Sequence, residues 1–213
     1  MKIFLALLLL SCSFETLQAK PIVYRFSHLH GQRQITFYSR TSLEGFEGVV
    51  NEFDGTASVD FAQNNLELKG LINLPVMAMS TGITLRDVHM RSKDWLNEDR
   101  YSHIRFELEE GWKQRVKKKG RDKWFVLAQG RFTLKGRSKD IEIPLTFERK
   151  KTEKGETLYI KGSFVVTLAE YGIRGPTAMK MIGAKVSPYI KVTIKLVGHD
   201  IAGFGPTDKN YSW

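Results

Sequence analysis

The alternation of apolar and polar residues over most of the chain constrains its fold more than any other feature. The longest example starts at Trp124 and ends at Leu134, with Trp, Val, Ala, Gly, Phe and Leu at every second position. Since successive side chains of a strand point to opposite faces, this pattern predicts strands with one apolar and one solvated face. Turn signals such as Lys154-Gly155 separate the runs. They predict an all-β fold of about eight antiparallel strands, arranged as a barrel or a sandwich.

The chain is expected to form one domain. Its 213 residues suit a single barrel or sandwich, and 42% of them are hydrophobic, which is enough for a packed core. No repeat or low-complexity linker divides the sequence. We therefore assign the domain to residues 20–198 and a C-terminal tail to residues 199–213.

The first 19 residues are predicted to be a secretory signal. Lys2 precedes the apolar run from Ile3 to Leu10, which is too short to span a bilayer. We expect cleavage after Ala19 and a periplasmic product. The only cysteine is Cys12, and Leu9-Leu10-Ser11-Cys12 resembles the lipobox of bacterial lipoproteins. A lipid anchor on Cys12 is therefore the alternative.

The strand pattern is interrupted between Ser80 and Phe106, where a short helix is expected. Thr84 followed three residues later by Asp87 predicts a capping box at its start. Leu85, Val88 and His89 fall on one face of such a helix, whereas Arg86 and Met90 fall on another. A helix of two to three turns is unstable alone, so it must dock on the strands.

No pattern in the sequence favours catalysis or a cofactor. GxSxG, Walker A and GxGxxG motifs are absent, and the only cysteine lies in the signal. His28 and His30 could begin a metal site, but the other histidines lack compact ligand spacing, so both are interpreted as exposed polar residues. Glu107 and Glu109 share a face that is expected to be solvated, which does not suit a general acid. We expect a protein that is not an enzyme and holds no metal.

The segment Trp112 to Lys123 carries seven basic residues and one acid, and the chain has a net charge of +10. It lies between two predicted strands, so it is expected to be a hairpin loop. Two interpretations stay open, namely a solvated loop that protects strand ends and a contact with anionic lipid headgroups. Export argues against nucleic acid as a partner.

Four segments, in order, resemble YceI-like domains. They are LEGFEG (Leu43 to Gly48), TGITLRDVHMRSKDWLNEDRYSHIRF (Thr81 to Phe106), GRFTLKGRSKDIEIPL (Gly130 to Leu145) and GSFVVTLAEYGI (Gly162 to Ile173). The resemblance implies an extended antiparallel lipocalin-like β-barrel with one or two short helices and an apolar interior cavity. Ser102, Lys135 and the pair Trp95-Leu96 depart from the usual family residues.

The resemblance also implies a ligand, a long isoprenoid or related amphiphilic lipid such as an isoprenoid quinone. A carrier, storage or scavenging role in the cell envelope would fit such a cavity. Arg86, His89 and Arg91 are candidates for contacts to the lipid head, although Arg86 could instead only tie the helix to the barrel. The candidate lining residues are apolar and lie on the strand runs or beside the helix: Phe37, Phe46, Leu74, Trp95, Phe106, Trp124, Phe132, Phe164 and Ile173.

Two other functions stay open at this point. One is an envelope interaction protein with a packed barrel, whose basic loop binds anionic surfaces. The other is an enzyme that uses polar residues between Arg86 and Arg91. The sequence also leaves the oligomeric state open, including a homodimer.

Overall fold

The computed structural model describes residues 21–61, 66–108, 114–153, 155–175 and 186–201. The predicted signal and most of the predicted tail lie outside these ranges. One α-helix, α1 (Thr84–Arg91), and three short 3-10 turns (His28–His30, Val76–Ala78 and Leu168–Tyr171) accompany the strands. The twelve strands in this part of the chain are β1 (Ile22–Ser27), β2 (Ile35–Arg40), β3 (Gly45–Val50), β4 (Asp54–Asp60), β5 (Glu67–Pro75), β6 (Met79–Ser80), β7 (His103–Leu108), β8 (Arg115–Gly120), β9 (Lys123–Leu134), β10 (Arg137–Thr152), β11 (Gly155–Thr167) and β12 (Tyr189–Asp200).

Eight of these strands form a closed antiparallel barrel in the order β1-β4-β5-β7-β9-β10-β11-β12. The barrel closes because β12 pairs with β1, with Tyr24 opposite Asp200. The predicted all-β fold with an eight-stranded lipocalin-like barrel is therefore confirmed.

The barrel is extended at the end opposite to this closure. The first half of β12 pairs with β2 instead of β1, with Val192 opposite Phe37. Strands β3 and β6 continue the sheet beyond β2. We call the end with the β1–β12 pairing the β1 end, and the end formed by β2, β3, β6 and α1 the mouth.

The alternation seen in the sequence corresponds to the inside and outside of the barrel. In β9, Trp124, Val126, Ala128, Phe132 and Leu134 are buried, whereas Phe125 between them is exposed. Each strand contributes its apolar face to one continuous core. Within the described ranges, no helix has the length and apolarity needed to cross a bilayer.

From Arg115 onwards the basic segment is a strand and not a loop, so this part of the prediction is wrong; Trp112 and Lys113 lie outside the described residues. Arg115–Gly120 forms β8, which pairs with the first half of β9 and places Lys117 opposite Phe125. Only Arg121 and Asp122 form the turn between the two strands. Val116 is the partly buried residue of β8 that packs against the core, so one apolar side chain among cations was too weak a strand signal.

The predicted capping box at Thr84 is also wrong. Helix α1 begins at Thr84, and Ile83 occupies the cap position without a side-chain hydrogen bond. The Asp87 carboxylate instead accepts hydrogen bonds from the Ser80 hydroxyl (2.7 Å) and from the backbone N–H (2.7 Å) and hydroxyl (2.6 Å) of Thr81. These donors come from the end of β6 and the residue after it, so Asp87 attaches the helix to the sheet.

Candidate functional site

A cavity of about 400 Å³ lies at the mouth, between α1 and the barrel strands. Its walls are formed almost entirely by apolar side chains from β2, β3, β9, β11, β12 and the segment after α1. Seven of the twelve residues singled out in the sequence line this outer cavity: Phe37, Phe46, Arg86, His89, Trp95, Phe132 and Ile173.

A second cavity of about 140 Å³ lies deeper in the barrel. Leu74, Phe106 and Phe164 line it, together with apolar residues of eight other strands. Five residues line both cavities: Phe37, Met79, Ile104, Phe132 and Val192. The two cavities are therefore adjacent and form one apolar path from the mouth into the barrel.

Aromatic rings define the junction between the cavities. The ring of Phe132 packs edge-to-face against Phe164, with centroids 5.7 Å apart, and against Tyr171 at 5.6 Å. Burial, and to a lesser degree the charge of Glu170, raises the pKa of Tyr171 to about 12. Tyr171 is therefore neutral at physiological pH and suits an apolar surrounding.

Two lining rings lie close to glycines of neighbouring strands. A Cβ at Gly48 would come within 2.1 Å of the Phe37 ring, and a Cβ at Gly130 within 2.6 Å of the Phe106 ring. Any larger residue at these positions would push the ring towards the cavity. These two glycines thus fix the orientation of two lining side chains.

The polar residues of the outer cavity lie at the mouth. The Arg86 guanidinium forms an ion pair with Glu44, in the turn between β2 and β3, and lies 4.4 Å from the centroid of the Phe46 ring. Arg86 therefore ties α1 to the β2–β3 turn and also lines the cavity, while its contact with a lipid head stays a prediction. His89 is exposed and lines the same cavity.

Arg91 lies behind the cavity wall and does not line either cavity. Its Nη2 donates a hydrogen bond to the backbone oxygen of Met79 (2.7 Å), so it braces the helix against β6. Burial raises the pKa of the Asp87 carboxyl, but the hydrogen bonds from Thr81 and Ser80 and the charge of Arg91 outweigh this effect and hold the pKa below its usual value. Asp87 is therefore a buried anion that positions α1.

Trp124 is the one lining candidate that the structure does not bring to the cavities. It is buried near the β1 end, where its ring lies 5.0 Å from Phe61 and 5.7 Å from the Arg149 guanidinium. Trp124 shares an inward face with Phe132, but the two are eight residues apart along β9. Alternation identifies the face of a strand and not the level along the barrel.

The histidines do not form a metal site within the described ranges, where no three His, Cys, Asp or Glu side chains group suitably. His28 and His30 lie in a 3-10 turn instead of an extended segment. The His30 ring packs edge-to-face on His199, with centroids 4.5 Å apart. Burial and the neighbouring His30 lower the pKa of His199. Glu107 faces an outer groove, and Glu109 and Glu110 lie outside the described residues.

Several lining residues were missed in the sequence. Ile104 and Val192 line both cavities, and each is flanked by polar residues in the sequence, so the strand alternation could have identified them. Ile83 and Leu85 line the outer cavity from the start of α1, and no sequence signal distinguished them from helix residues that face solvent.

The fold and the internal apolar cavity together define a lipocalin-like β-barrel protein. The sequence profile of the YceI-like domain matches residues 26–198, which is most of the chain. The chain therefore belongs to the YceI-like domain family, and the family predicted from the four sequence segments is confirmed.

Sequence relatives include UPF0312 proteins. One from Photorhabdus laumondii is 34% identical over 94 residues, which is 44% of each chain. Another from Pseudomonas savastanoi is 31% identical over 131 residues, or 61% of this chain and 64% of the relative. The matches thus span less than two thirds of these relatives.

Solved structures with the same fold include Burkholderia cenocepacia BcnA. It superposes with a TM-score of 0.60 at 17% identity and covers 76% of this chain and 94% of its own. A polyisoprenoid binding domain from Saccharophagus degradans superposes with a TM-score of 0.58 at 13% identity, covering 85% and 99%. At these identities the similarity shows the fold alone.

Proposed function

We propose that this protein binds a long-chain amphiphilic lipid, of polyisoprenoid or isoprenoid quinone type, inside the barrel. The observation that carries this proposal is the apolar path formed by the two adjacent cavities, which opens at the mouth and is lined by Phe37, Phe132 and Val192 at its junction. A slim apolar chain fits such a path, whereas a compact polar molecule would find almost no hydrogen-bond partner there.

The energetics favour a chain-like ligand. Each methylene removed from water contributes about 0.8 kcal/mol, so a long chain can offset the cost of ordering itself in the cavity. The lining rings are held by packing before a ligand arrives, which lowers that cost. Arg86 and His89 at the mouth are suited to contact a polar head, so the chain would enter tail first.

The family comparison supports an isoprenoid-type ligand, since the related Saccharophagus degradans structure is described as a polyisoprenoid binding domain. We further propose that the protein works in the periplasm as a carrier, storage or scavenging protein, because the first 19 residues have the pattern of a secretory signal. A lipid anchor at Cys12 would keep the same barrel on a membrane surface.

A binding role agrees better than catalysis with the polar groups at the mouth. Asp87 is held by Ser80 and Thr81, and Arg86 is paired with Glu44. Groups that are held in this way stabilise the fold and are poorly placed to transfer protons.

Native mass spectrometry of the protein from its own envelope fraction, followed by organic extraction, tests the proposal. We expect a bound long-chain lipid in the wild type and none in the double variant Phe132→Asp, Phe164→Asp, because two carboxylates would face the apolar junction. Val165→Asp is the matched control, since Val165 follows Phe164 in β11 and is 61% exposed. A well-folded double variant that still carries lipid would refute cavity binding.

A second candidate function is attachment to an anionic surface through β8. Its outward-facing Arg115, Lys117 and Lys119 are exposed. Salt-sensitive vesicle binding by a protein that yields no lipid and takes up no added isoprenoid would favour this function over the first.

A further inference from the structure

An unusual group of exposed apolar side chains surrounds the mouth of the outer cavity. Ile83, Leu85 and Val88 of the α1 region are 49%, 65% and 56% exposed, and Leu43 in the β2–β3 turn is 87% exposed, the highest value for a large hydrophobic residue among those described. We call these four residues the mouth rim. Single exposed hydrophobic residues are common on soluble proteins, but a group around one opening marks a contact site.

The two parts of the mouth rim are held together. Leu43 lies between Thr41, which lines the outer cavity, and Glu44, which forms the ion pair with Arg86 of α1. Leu85 and Val88 are three residues apart and therefore adjacent on the outer face of the helix. The ion pair thus fixes the turn that carries Leu43 beside the helix that carries the other rim residues.

The mouth rim is continuous with the interior. Ile83 and Leu85 are exposed to solvent and also line the outer cavity, so one apolar surface runs from the outside of the molecule into the barrel. A lipid that passed through water between a membrane and the cavity would expose its methylenes to water. Each exposed methylene costs about 0.8 kcal/mol and would slow the transfer about fourfold. A rim seated in the bilayer would remove that crossing.

The charges beside the rim agree with a bilayer that contains anionic lipids. Arg40, Lys93 and Arg174 are exposed and lie within two residues of the cavity-lining Thr41, Trp95 and Ile173, respectively. The exposed acids on the same segments are Asp94, Glu44 and Glu170, of which Glu44 is engaged by Arg86 and Glu170 by Lys139. Basic residues around apolar anchors are the arrangement expected for a protein that sits in the headgroup region.

We propose that the mouth rim inserts into the surface of a phospholipid bilayer containing anionic lipids, and that the lipid ligand enters the cavity directly from it. This inference rests on the proposed lipid-binding function and adds the route of uptake. Leu43 and Val88 would act as anchors that do not line the cavity, whereas Ile83 and Leu85 would form the passage.

The test compares uptake from a membrane with uptake from solution. Vesicles of phosphatidylethanolamine and phosphatidylglycerol that contain a fluorescent polyprenol report extraction, and farnesol added from ethanol reports direct binding. In the double variant Leu43→Asp, Val88→Asp, we expect vesicle co-sedimentation to be lost and extraction to slow by about tenfold or more. Farnesol binding should be unchanged, because neither residue lines the cavity.

The matched control is Val23→Asp, Phe125→Asp, which places the same charges on exposed apolar residues away from the mouth. Extraction that is equal in the wild type and the rim variant, or reduced as much in the control, would overturn the proposal. A wild type that binds neither farnesol nor polyprenol would overturn the proposed function instead. Vesicle co-sedimentation of the wild type and the rim variant would still decide whether the rim contacts a bilayer.

Discussion

The carboxylate of Asp87 is buried where β6 meets α1, and the helix is positioned through it. It accepts two hydrogen bonds from Thr81 and one from Ser80, and the Arg91 charge acts on it as well. Since α1 carries cavity-lining and rim residues on one short helix, the position of these residues depends on this buried acid, together with the contacts of Arg86 to Glu44 and of Arg91 to Met79.

We expect Asp87→Ala to lower the free energy of unfolding by about 2 kcal/mol at neutral pH, because three donors lose a charged acceptor. The folded-state pKa lies below the unfolded-state value of about 3.9. The stabilisation by Asp87 is therefore fully present above the unfolded-state pKa and declines as the pH falls through the folded-state pKa. Urea denaturation should show a smaller difference between variant and wild type at about pH 3 than at neutral pH.

Thr84→Ala is the control for this prediction. A capping threonine would contribute about 1 kcal/mol, but Thr84 makes no cap in the structure, so the change should stay within about 0.5 kcal/mol. A loss at Thr84 as large as that at Asp87 would contradict this description of the helix start.

Comparison of these residues shows what a local sequence pattern can predict. Thr84 and Asp87 have the spacing of a capping box, yet the donors to Asp87 come from Ser80 and Thr81, which precede the helix. Arg86 finds its partner in Glu44, forty-two residues earlier in the chain. Such partners follow from the packing of α1 on the sheet, which short-range spacing does not contain.

At the scale of elements, the β8–β9 hairpin carries the basic segment on the half of the barrel near the β1 end. Lys117 lies opposite Phe125, nine residues before Leu134 at the mouth, which is roughly 30 Å along a strand. The alternation in β8 is obscured because five of its six residues are basic or glycine. The composition of β8 identified its charge but not its secondary structure.

We expect Lys117→Gln, Lys119→Gln to leave polyprenol extraction from vesicles unchanged, because the hairpin is remote from the mouth rim. Vesicle binding, measured by co-sedimentation at low and at high salt, should lose at most its salt-sensitive part. For lysines that approach anionic lipid, this loss is about fivefold in the binding constant per lysine. If extraction falls as far as in the rim variant, the hairpin and not the mouth rim positions the protein on the bilayer. Phosphatidylethanolamine vesicles without anionic lipid serve as the control surface.

The β1 end of the barrel is occupied by a polar network. Arg149 forms an ion pair with Asp122 (2.8 Å) and lies 4.3 Å from the centroid of the Phe61 ring. Tyr24 donates a hydrogen bond to Glu156, and the backbone N–H of Glu156 donates to Asp200. Burial and the Glu156 carboxylate raise the pKa of Tyr24, so it remains a neutral donor. These contacts join β1, β10, β11 and β12 where the barrel closes and leave the mouth as the opening that leads to the outer cavity.

For the whole molecule, alternation predicted the strands and the one-sided core, and the family segments decided between barrel and sandwich. The resemblance implied an extended barrel but not that β2, β3 and β6 form the extension, because this requires β12 to change partners from β2 to β1 along its length. The cavities could not be located from the sequence either, because the pairing of distant strands brings their walls together. Their walls combine residues such as Phe37, Ile104 and Val192, which come together only through the register of distant strands.

The two cavities in series lead to a prediction about ligand length. Each added methylene should strengthen binding by up to about 0.8 kcal/mol until the chain fills both cavities. In a series of isoprenoid alcohols from geraniol to geranylgeraniol and longer, affinity measured by fluorescence titration should therefore rise and then level off. Val192 lines both cavities, so Val192→Trp would narrow the junction with an indole ring. The increase in affinity should then stop at a shorter chain, while binding of the shortest alcohols at the mouth persists.

Thr193→Trp is the matched control, since Thr193 neighbours Val192 in β12 and lies on the opposite face of the strand. It should give the same dependence on chain length as the wild type. An affinity that does not change with chain length would mean that the alcohols bind at the surface. An equal response of the two tryptophan variants would mean that the inner cavity does not take part. The expected result, a plateau that moves only when the junction is narrowed, would identify the path from the mouth to the inner cavity as the binding site.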